Sequence, residues 1–114
     1  MKIREIYDVL QAELLTPGAD LDREVYAACG SDMMSDVLAY VKDAAVLITG
    51  LNNPQVVRTA SMMDMVCIVF VRGKRPDQTI LDLAKQMDIA VLATDKTMFT
   101  TCGLLHGCGL QGGD

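Results

Sequence analysis

Residues 65–71 read Met-Val-Cys-Ile-Val-Phe-Val, an unbroken apolar run rich in β-branched side chains. β-branched and aromatic residues favour strands over helices. A strand that is apolar on both of its faces is typical of a parallel sheet covered by helices on both sides. The run therefore predicts a buried, central strand of an α/β protein.

Three more strands are predicted, two before this run and one after it. Each is a short apolar segment bounded by turn-forming residues such as Gly, Asn and Pro. They cover residues 24–29, 45–49 and 89–93.

Helices are predicted between these strands from apolar residues at helical spacing. The first two cover residues 3–15 and 33–42, and Ser31 or Asp32 is expected to cap the second. Later helices follow Asn53, Asp77 and Thr97, and Pro54 fits the first position of the helix after Asn53. The residues expected to face inward on the four later helices are Met34, Val37, Leu38 and Val41, then Val56, Val57, Ala60 and Met63, then Ile80, Leu81, Ala84 and Met87, and finally Met98, Cys102 and Leu105.

Helices and strands thus alternate along the whole chain. This order predicts a three-layer α/β/α fold with a mainly parallel sheet of four to five strands and right-handed crossovers. The length of 114 residues fits a single domain over residues 1–114. Glycines close to the end of the chain predict a loose tail over residues 108–114.

The bulk composition excludes several classes of protein. With 51% hydrophobic and 22% charged residues, the chain is expected to be globular. A net charge of −5, no Trp and only two Phe argue against nucleic-acid binding, which needs positive charge and stacking platforms. No apolar run is long enough for a membrane helix, and the start does not read as a signal peptide. A cytoplasmic protein is expected.

The loops that follow the four predicted strands are the candidate ligand site. In a parallel sheet the carboxyl ends of all strands share one edge, where ligands bind. Basic residues are placed in these loops, and glycines there let a ligand approach the backbone. The chemistry points to a small anionic ligand or nucleotide. The candidate binding residues are Ser31, Asp32, Thr49, Gly50, Asn52, Arg72, Gly73, Lys74 and Thr94, with Arg75 and Lys96 adding positive charge at the same edge.

Ordinary turn chemistry explains the Gly, Asn and Pro residues of these loops equally well. The loops contain neither a P-loop nor a dinucleotide-binding glycine motif. Serines, cysteines and carboxylates form no recognisable catalytic constellation with the single histidine. We therefore expect no enzyme activity, no catalytic residue and no cofactor.

The cysteines offer a weaker alternative. Cys102, His106 and Cys108 lie close together in sequence, but their spacing is not a common zinc pattern. Cys29 ends a predicted strand and could contribute from the loop edge, or could form a thiolate beside Arg72. No metal site is predicted, and Cys29, Cys102, His106 and Cys108 remain the alternative set.

Several loop strings carry a resemblance to a known family. The chain resembles the DRTGG domain, with residues Asn52-Asn53 and residues 72–74 (Arg-Gly-Lys) in place of the residues that name the family. It is similar to the stand-alone, single-domain branch. The strings that carry the resemblance are residues 30–38 (Gly-Ser-Asp-Met-Met-Ser-Asp-Val-Leu), residues 45–50 (Ala-Val-Leu-Ile-Thr-Gly) with Asn53-Pro54, residues 69–77 (Val-Phe-Val-Arg-Gly-Lys-Arg-Pro-Asp), residues 89–94 (Ile-Ala-Val-Leu-Ala-Thr), and Met98-Phe99 with Cys102-Gly103.

The resemblance implies a fold like the N-terminal domain of HPr kinase/phosphorylase and a regulatory rather than catalytic role. Members of the family occur fused to phosphotransacetylase and to pyrophosphatases with regulatory nucleotide-binding domains. The kinase activity of HPr kinase belongs to a separate P-loop domain, and this chain has no P-loop motif.

Three functional hypotheses result. The first is a non-catalytic regulatory or sensing module that binds a small anionic, phosphorylated ligand and forms a homodimer. The second is a protein-interaction subunit that docks on a larger metabolic enzyme. The third is a metal- or thiol-dependent protein that uses the cysteines and His106.

Overall fold

The computed structural model describes residues 1–40 and 44–112. It contains five helices and five strands in these residues. The helices are α1 (Ile3–Leu10), α2 (Met34–Tyr40), α3 (Pro54–Met62), α4 (Gln78–Gln86) and α5 (Met98–Gly107). The strands are β1 (Glu13–Leu14), β2 (Ala27–Gly30), β3 (Ala45–Thr49), β4 (Cys67–Phe70) and β5 (Ala90–Ala93).

The strands form one sheet in the order β1-β5-β4-β3-β2. Strands β2 to β5 are parallel, and β1 pairs antiparallel with β5. The predicted central run is the middle strand, where Ile68 lies opposite Leu47 on one side and Val91 on the other. The prediction of a mainly parallel sheet of four to five strands is confirmed.

The core divides into two clusters, one on each face of the sheet. Cys67 and Val69 of β4 pack with residues of α1 and α5, whereas Ile68 and Phe70 pack with residues of α2, α3 and α4. Successive side chains of a strand point to opposite faces, so an all-apolar strand needs a helical layer on both sides. The three-layer arrangement predicted from residues 65–71 follows from this alternation.

Side-chain caps start three of the helices. Asn53 Oδ1 accepts a hydrogen bond from Gln55 N at 2.8 Å, with Pro54 at the first helical position. Asp77 and Thr97 cap α4 and α5 in the same way. Of the two residues predicted to cap α2, Asp32 does not do so, because its carboxylate accepts bonds from the loop after β3 instead, whereas Ser31 Oγ accepts from Met33 N, just before the helix.

The helix predicted over residues 3–15 is shorter than expected. It ends at Leu10, and Gln11 takes a left-handed conformation with φ of 50°. Leu14, predicted on the helix, lies in β1 opposite Leu92. The chain leaves the helix there because Glu13 and Leu14 cover the open edge of β5, a pairing that helical periodicity cannot reveal.

The predicted inward faces hold in part. Leu38 and Met87 are exposed, so neither belongs to the buried stripe expected of it. Val41 lies outside the described residues. In the predicted tail, Leu110 is buried and Gln111 pairs with the outer edge of β2, where its carbonyl accepts from Ala28 N at 2.9 Å. The chain is therefore packed as far as Gln111 rather than loose.

In residues 1–40 and 44–112, no helix is long and apolar enough to cross a membrane.

Candidate functional site

The loops after the four parallel strands meet at the carboxyl edge of the sheet, as predicted. Direct bonds join them in pairs: residues 31–33 with residues 49–51, and residues 72–73 with residues 94–96. The Arg72 side chain links the two pairs because it reaches across to Gly50. We call this set of loops the carboxyl edge.

Asp32 organises the first pair of loops. Its Oδ1 accepts hydrogen bonds from Gly50 N at 2.7 Å and from the Thr49 hydroxyl at 3.0 Å. The same hydroxyl accepts from Leu51 N at 3.1 Å. Thr49 is fully buried, so its side chain holds the loop in place and is not presented at the surface. Ser31 closes a local turn, with its Oγ accepting from Met33 N at 2.9 Å.

Arg72 occupies the centre of the carboxyl edge. Its backbone is left-handed, with φ of 58°, and its N–H donates to the Lys96 carbonyl at 2.8 Å. The guanidinium lies against Gly50, where an added Cβ would be 2.2 Å from Nη2. Only a glycine at position 50 permits this contact. Nη2 also lies 3.9 Å from Asp32 Oδ2, at the outer limit of an ion pair.

The second pair of loops is built around Gly73 and Thr94. Gly73 has a φ of 68°, and its N–H donates to the Thr94 carbonyl at 2.9 Å. The buried Thr94 hydroxyl donates to the Leu10 carbonyl at 3.0 Å and accepts from Lys96 N at 3.3 Å. Thr94, like Thr49, is therefore committed to supporting the edge.

The basic side chains at the carboxyl edge differ in whether they have a partner within the protein. Arg75 pairs with Glu13 of β1 through a hydrogen bond that raises the pKa of the guanidinium. Lys96 Nζ lies 3.5 Å from the Gln11 side-chain oxygen. Lys74 is exposed and its amine pairs with no carboxylate among the described residues. Asn52 donates to the Arg75 carbonyl at 3.2 Å, which ties its loop to the next one.

Two cysteines of the alternative set, Cys29 and Cys102, lie near each other but pack in different core clusters, on opposite faces of the sheet. Cys29 packs on the α2–α4 side of the sheet and Cys102 on the α1–α5 side. Burial raises the pKa of both thiols, and the nearby Asp36 raises that of Cys29 further. The alternative of a Cys29 thiolate beside Arg72 is therefore not supported. Within the described residues, no three His, Cys, Asp or Glu side chains are placed to hold a metal ion.

A concave site of about 130 Å³ lies away from the carboxyl edge, where β5 begins, and was not predicted. It is lined by residues that include Arg23, Lys85 and Asp88. Arg23 donates to the Asp88 carbonyl and lies 3.4 Å from the Asp88 carboxylate. Its positive charge is therefore engaged within the protein. The pairing joins residues distant in sequence, so no local signal could have found it.

The chain is an α/β domain with polar loops gathered at the carboxyl edge of a parallel sheet, the edge at which ligands bind in many α/β proteins. The chain belongs to the DRTGG domain family, whose profile matches residues 5–108. The resemblance noted from the loop strings is confirmed. None of the curated proteins compared with the chain matches it.

The fold is similar to a crystal structure of the CBS and DRTGG domains of the regulatory region of Clostridium perfringens pyrophosphatase, complexed with the activator diadenosine tetraphosphate. The match has a TM-score of 0.76 at 20% sequence identity, and covers 91% of this chain and 45% of that chain. The chain thus spans less than half of that regulatory region. At this identity the likeness shows a shared fold.

Proposed function

We propose that this chain is a regulatory module without catalytic activity, which binds a small phosphorylated anion at the carboxyl edge and acts as a homodimer. The observation that carries the proposal is the Arg72 guanidinium, held across Gly50 between the two pairs of loops. Membership of the DRTGG family supports the regulatory role. The similar pyrophosphatase region is complexed with a nucleotide activator, which supports a phosphorylated ligand for this chain.

Arg72 has the properties of an anion-binding residue. Its side chain is half-exposed, and its contact with Asp32 at 3.9 Å is too long for a strong ion pair. Most of its donors are therefore available to a phosphate, which guanidinium groups bind through two parallel hydrogen bonds. The exposed Lys74 is two residues away and adds a second positive charge.

Asp32 sets the selectivity of the same site. Its carboxylate already accepts the Gly50 amide and lies beside the Arg72 guanidinium, so it occupies positions that an incoming anion would use. An anion must offset this negative charge when it binds. We therefore assign Asp32 the role of holding the loops together while limiting the affinity for simple anions.

The experiment is isothermal titration of the full chain with inorganic phosphate, pyrophosphate, ATP and diadenosine tetraphosphate. Arg72→Ala is compared with Arg58→Ala, a matched loss of one arginine from the exposed side of α3. Charge-assisted hydrogen bonds are worth about 1.5–3 kcal/mol, so Arg72→Ala should weaken binding by roughly 10- to 100-fold. Lys74→Ala should have a smaller effect, and Lys85→Ala, beside the concave site at the start of β5, none.

Two results would overturn the proposal. One is that no phosphorylated compound binds the wild-type chain, and the other is that Arg72→Ala and Arg58→Ala bind equally well. The Asp32 assignment has its own test. Asp32→Asn keeps the acceptor oxygen and removes the charge, so it should tighten phosphate binding several-fold, whereas weaker binding would contradict the assignment.

A second candidate is a protein-interaction subunit that docks on a larger metabolic enzyme. It is favoured by the similar fold within the regulatory region of a pyrophosphatase, a part of a larger enzyme. Under this hypothesis the basic residues of the carboxyl edge would contact a protein. Absence of ligand binding, together with a specific partner lost in Arg72→Ala but kept in Arg58→Ala, would establish it.

A further inference from the structure

Helix α5 is apolar on its outer as well as its inner side. Thr101 and Leu105 are buried against the sheet, while Phe99 is 89% exposed and Leu104 is 38% exposed. Between residues 98 and 107 the only ionisable side chains are Cys102 and His106. A helix that is apolar all round is normally covered on all sides. Among residues 1–40 and 44–112 of the single chain, only one side of α5 is covered.

Two glycines lie on this outer side. Residues four apart share one face of a helix, so Phe99, Gly103 and Gly107 form one line along it. A Cβ added at either glycine would meet no atom within 4 Å. Glycine within a helix costs about 0.5–1 kcal/mol relative to alanine, and nothing in the single chain requires Gly103. Close approach of another helix would require it.

The electrostatics of this surface favour a second copy of the same chain as the partner. The chain carries a net charge of −5, so most of its surface repels another copy. Residues 96–112 contain no Asp or Glu. The outer face of α5 is therefore a surface where two copies can meet without bringing carboxylates together. Residues 54–62 of α3 also lack carboxylates, but only α5 combines this with an exposed Phe and two glycines in line with it.

We propose that the chain dimerises through α5, with two copies of this helix packed antiparallel about a two-fold axis at Gly103. Positions 99 and 107 are each four residues from Gly103, so Phe99 of each copy lies against Gly107 of the other. Such an interface is self-complementary, as a two-fold dimer requires. A large ring on each copy fits the space left by the missing side chain on the other.

The size of the surface sets the strength of the dimer. A ten-residue helix is about 15 Å long, and a Phe side chain buries roughly 150–250 Å². Such an interface falls below about 1,200 Å² in total, at the low end for specific complexes. We expect a dissociation constant on the order of micromolar. The inference rests on the homodimer part of the proposed function and is independent of ligand binding.

The test is sedimentation equilibrium of the full chain over a wide concentration range, for wild type, Phe99→Asp and Met62→Asp. Met62 is the matched control, because it is 69% exposed on α3, in the layer on the other side of the sheet. Phe99→Asp should raise the dissociation constant at least roughly tenfold, the effect expected of a central aromatic anchor. Met62→Asp should leave it unchanged.

A cross-linking variant locates the axis directly. Gly103→Cys in a Cys108→Ser background should form a disulfide-linked dimer on mild oxidation, because the two-fold axis brings position 103 of both copies together. A wild-type chain that stays monomeric at every concentration overturns the homodimer itself. A dimer that tolerates Phe99→Asp and does not cross-link at position 103 overturns the surface. Neither outcome bears on the titrations with phosphate compounds.

Discussion

Helices α1 and α5 lie side by side on the same face of the sheet and differ most in their outward residues. They contact each other and bury Ile6 and Leu105 in the same core cluster. The outer side of α1 carries Arg4, Glu5 and Asp8, whereas that of α5 carries no carboxylate. The inner sides of both helices are apolar because they pack in the core. The residues on the outer sides therefore reflect what each helix contacts outside the core.

The charged residues of α1 are used locally. Arg4 pairs with Asp22 at 3.2 Å, and Glu5 accepts a hydrogen bond from Lys2 N at 2.9 Å at the start of the helix. These contacts account for the outer face of α1 within one copy of the chain. Within the part of the chain that the structure describes, no comparable contact accounts for Phe99 or Gly103, and this difference underlies the dimer proposal.

The largest expected effect tests the buried inner faces of α1 and α5, which are both apolar. Ile6→Ala and Leu105→Ala each remove a fully buried side chain from the same cluster. Both should lower the free energy of unfolding by about 2–5 kcal/mol, measured by urea denaturation. A cost below about 1 kcal/mol at either position would show that the helix concerned is not part of the core.

The next effect is a pH dependence of the free energy of unfolding, which arises from Cys67 in the core beneath both helices. Burial raises the pKa of the Cys67 thiol from 9.0 to about 12. The unfolded chain therefore loses this proton first as the pH rises. Cys67 contributes constant stability below about pH 9 and a falling contribution from there towards pH 12, with a slope of up to about 1.4 kcal/mol per pH unit.

Cys67→Ala isolates this contribution, because all other titrating groups are common to both proteins. Between about pH 8 and pH 10.5 the wild type should lose more unfolding free energy than the variant, measured by urea denaturation at each pH. Equal losses in the two proteins would show that the thiol is not held neutral by burial. The exposed Cys108 should react with a thiol reagent in the native state, whereas Cys67 should react only after unfolding.

The smallest expected effect tests Gly103 on the outer face of α5, which has no counterpart on α1. Gly103→Ala should stabilise the monomer by about 0.5–1 kcal/mol in thermal unfolding at low concentration, because alanine is the better helix former. The same change should weaken the dimer, because the added methyl groups face each other across the axis. Unchanged or lower monomer stability would mean that Gly103 has a role within the single chain.

Much of the fold could be predicted from local patterns. Strands β3, β4 and β5 stand out as apolar runs, and Asn53 with Pro54 marks the start of α3. These features depend on neighbouring residues in the sequence and on the two-residue period of strands. Strand β1 was missed because its two residues are defined only by their partner strand, and Leu110 was missed because glycines surround it.

The location of the candidate site could be predicted from the sequence, but the contacts between its side chains could not. The loops with Asp32, Gly50 and Arg72 do meet at one edge. The contacts that the polar side chains of these loops make could not be predicted. Arg75 pairs with Glu13, 62 residues away, and Thr94 donates a hydrogen bond to Leu10, 84 residues away. Such pairs form only once the chain is folded.

The sequence by itself determined the layered α/β architecture and the edge at which its loops gather. An apolar run such as residues 65–71 can be buried on both faces only between two helical layers, and parallel strands must end at a common edge. Only the tertiary structure decided that Arg72 lies across Gly50, that Asp32 holds the loop amide, and that the outer face of α5 is left open. The reason is that these features depend on distances between residues far apart in the chain, which a local pattern does not contain.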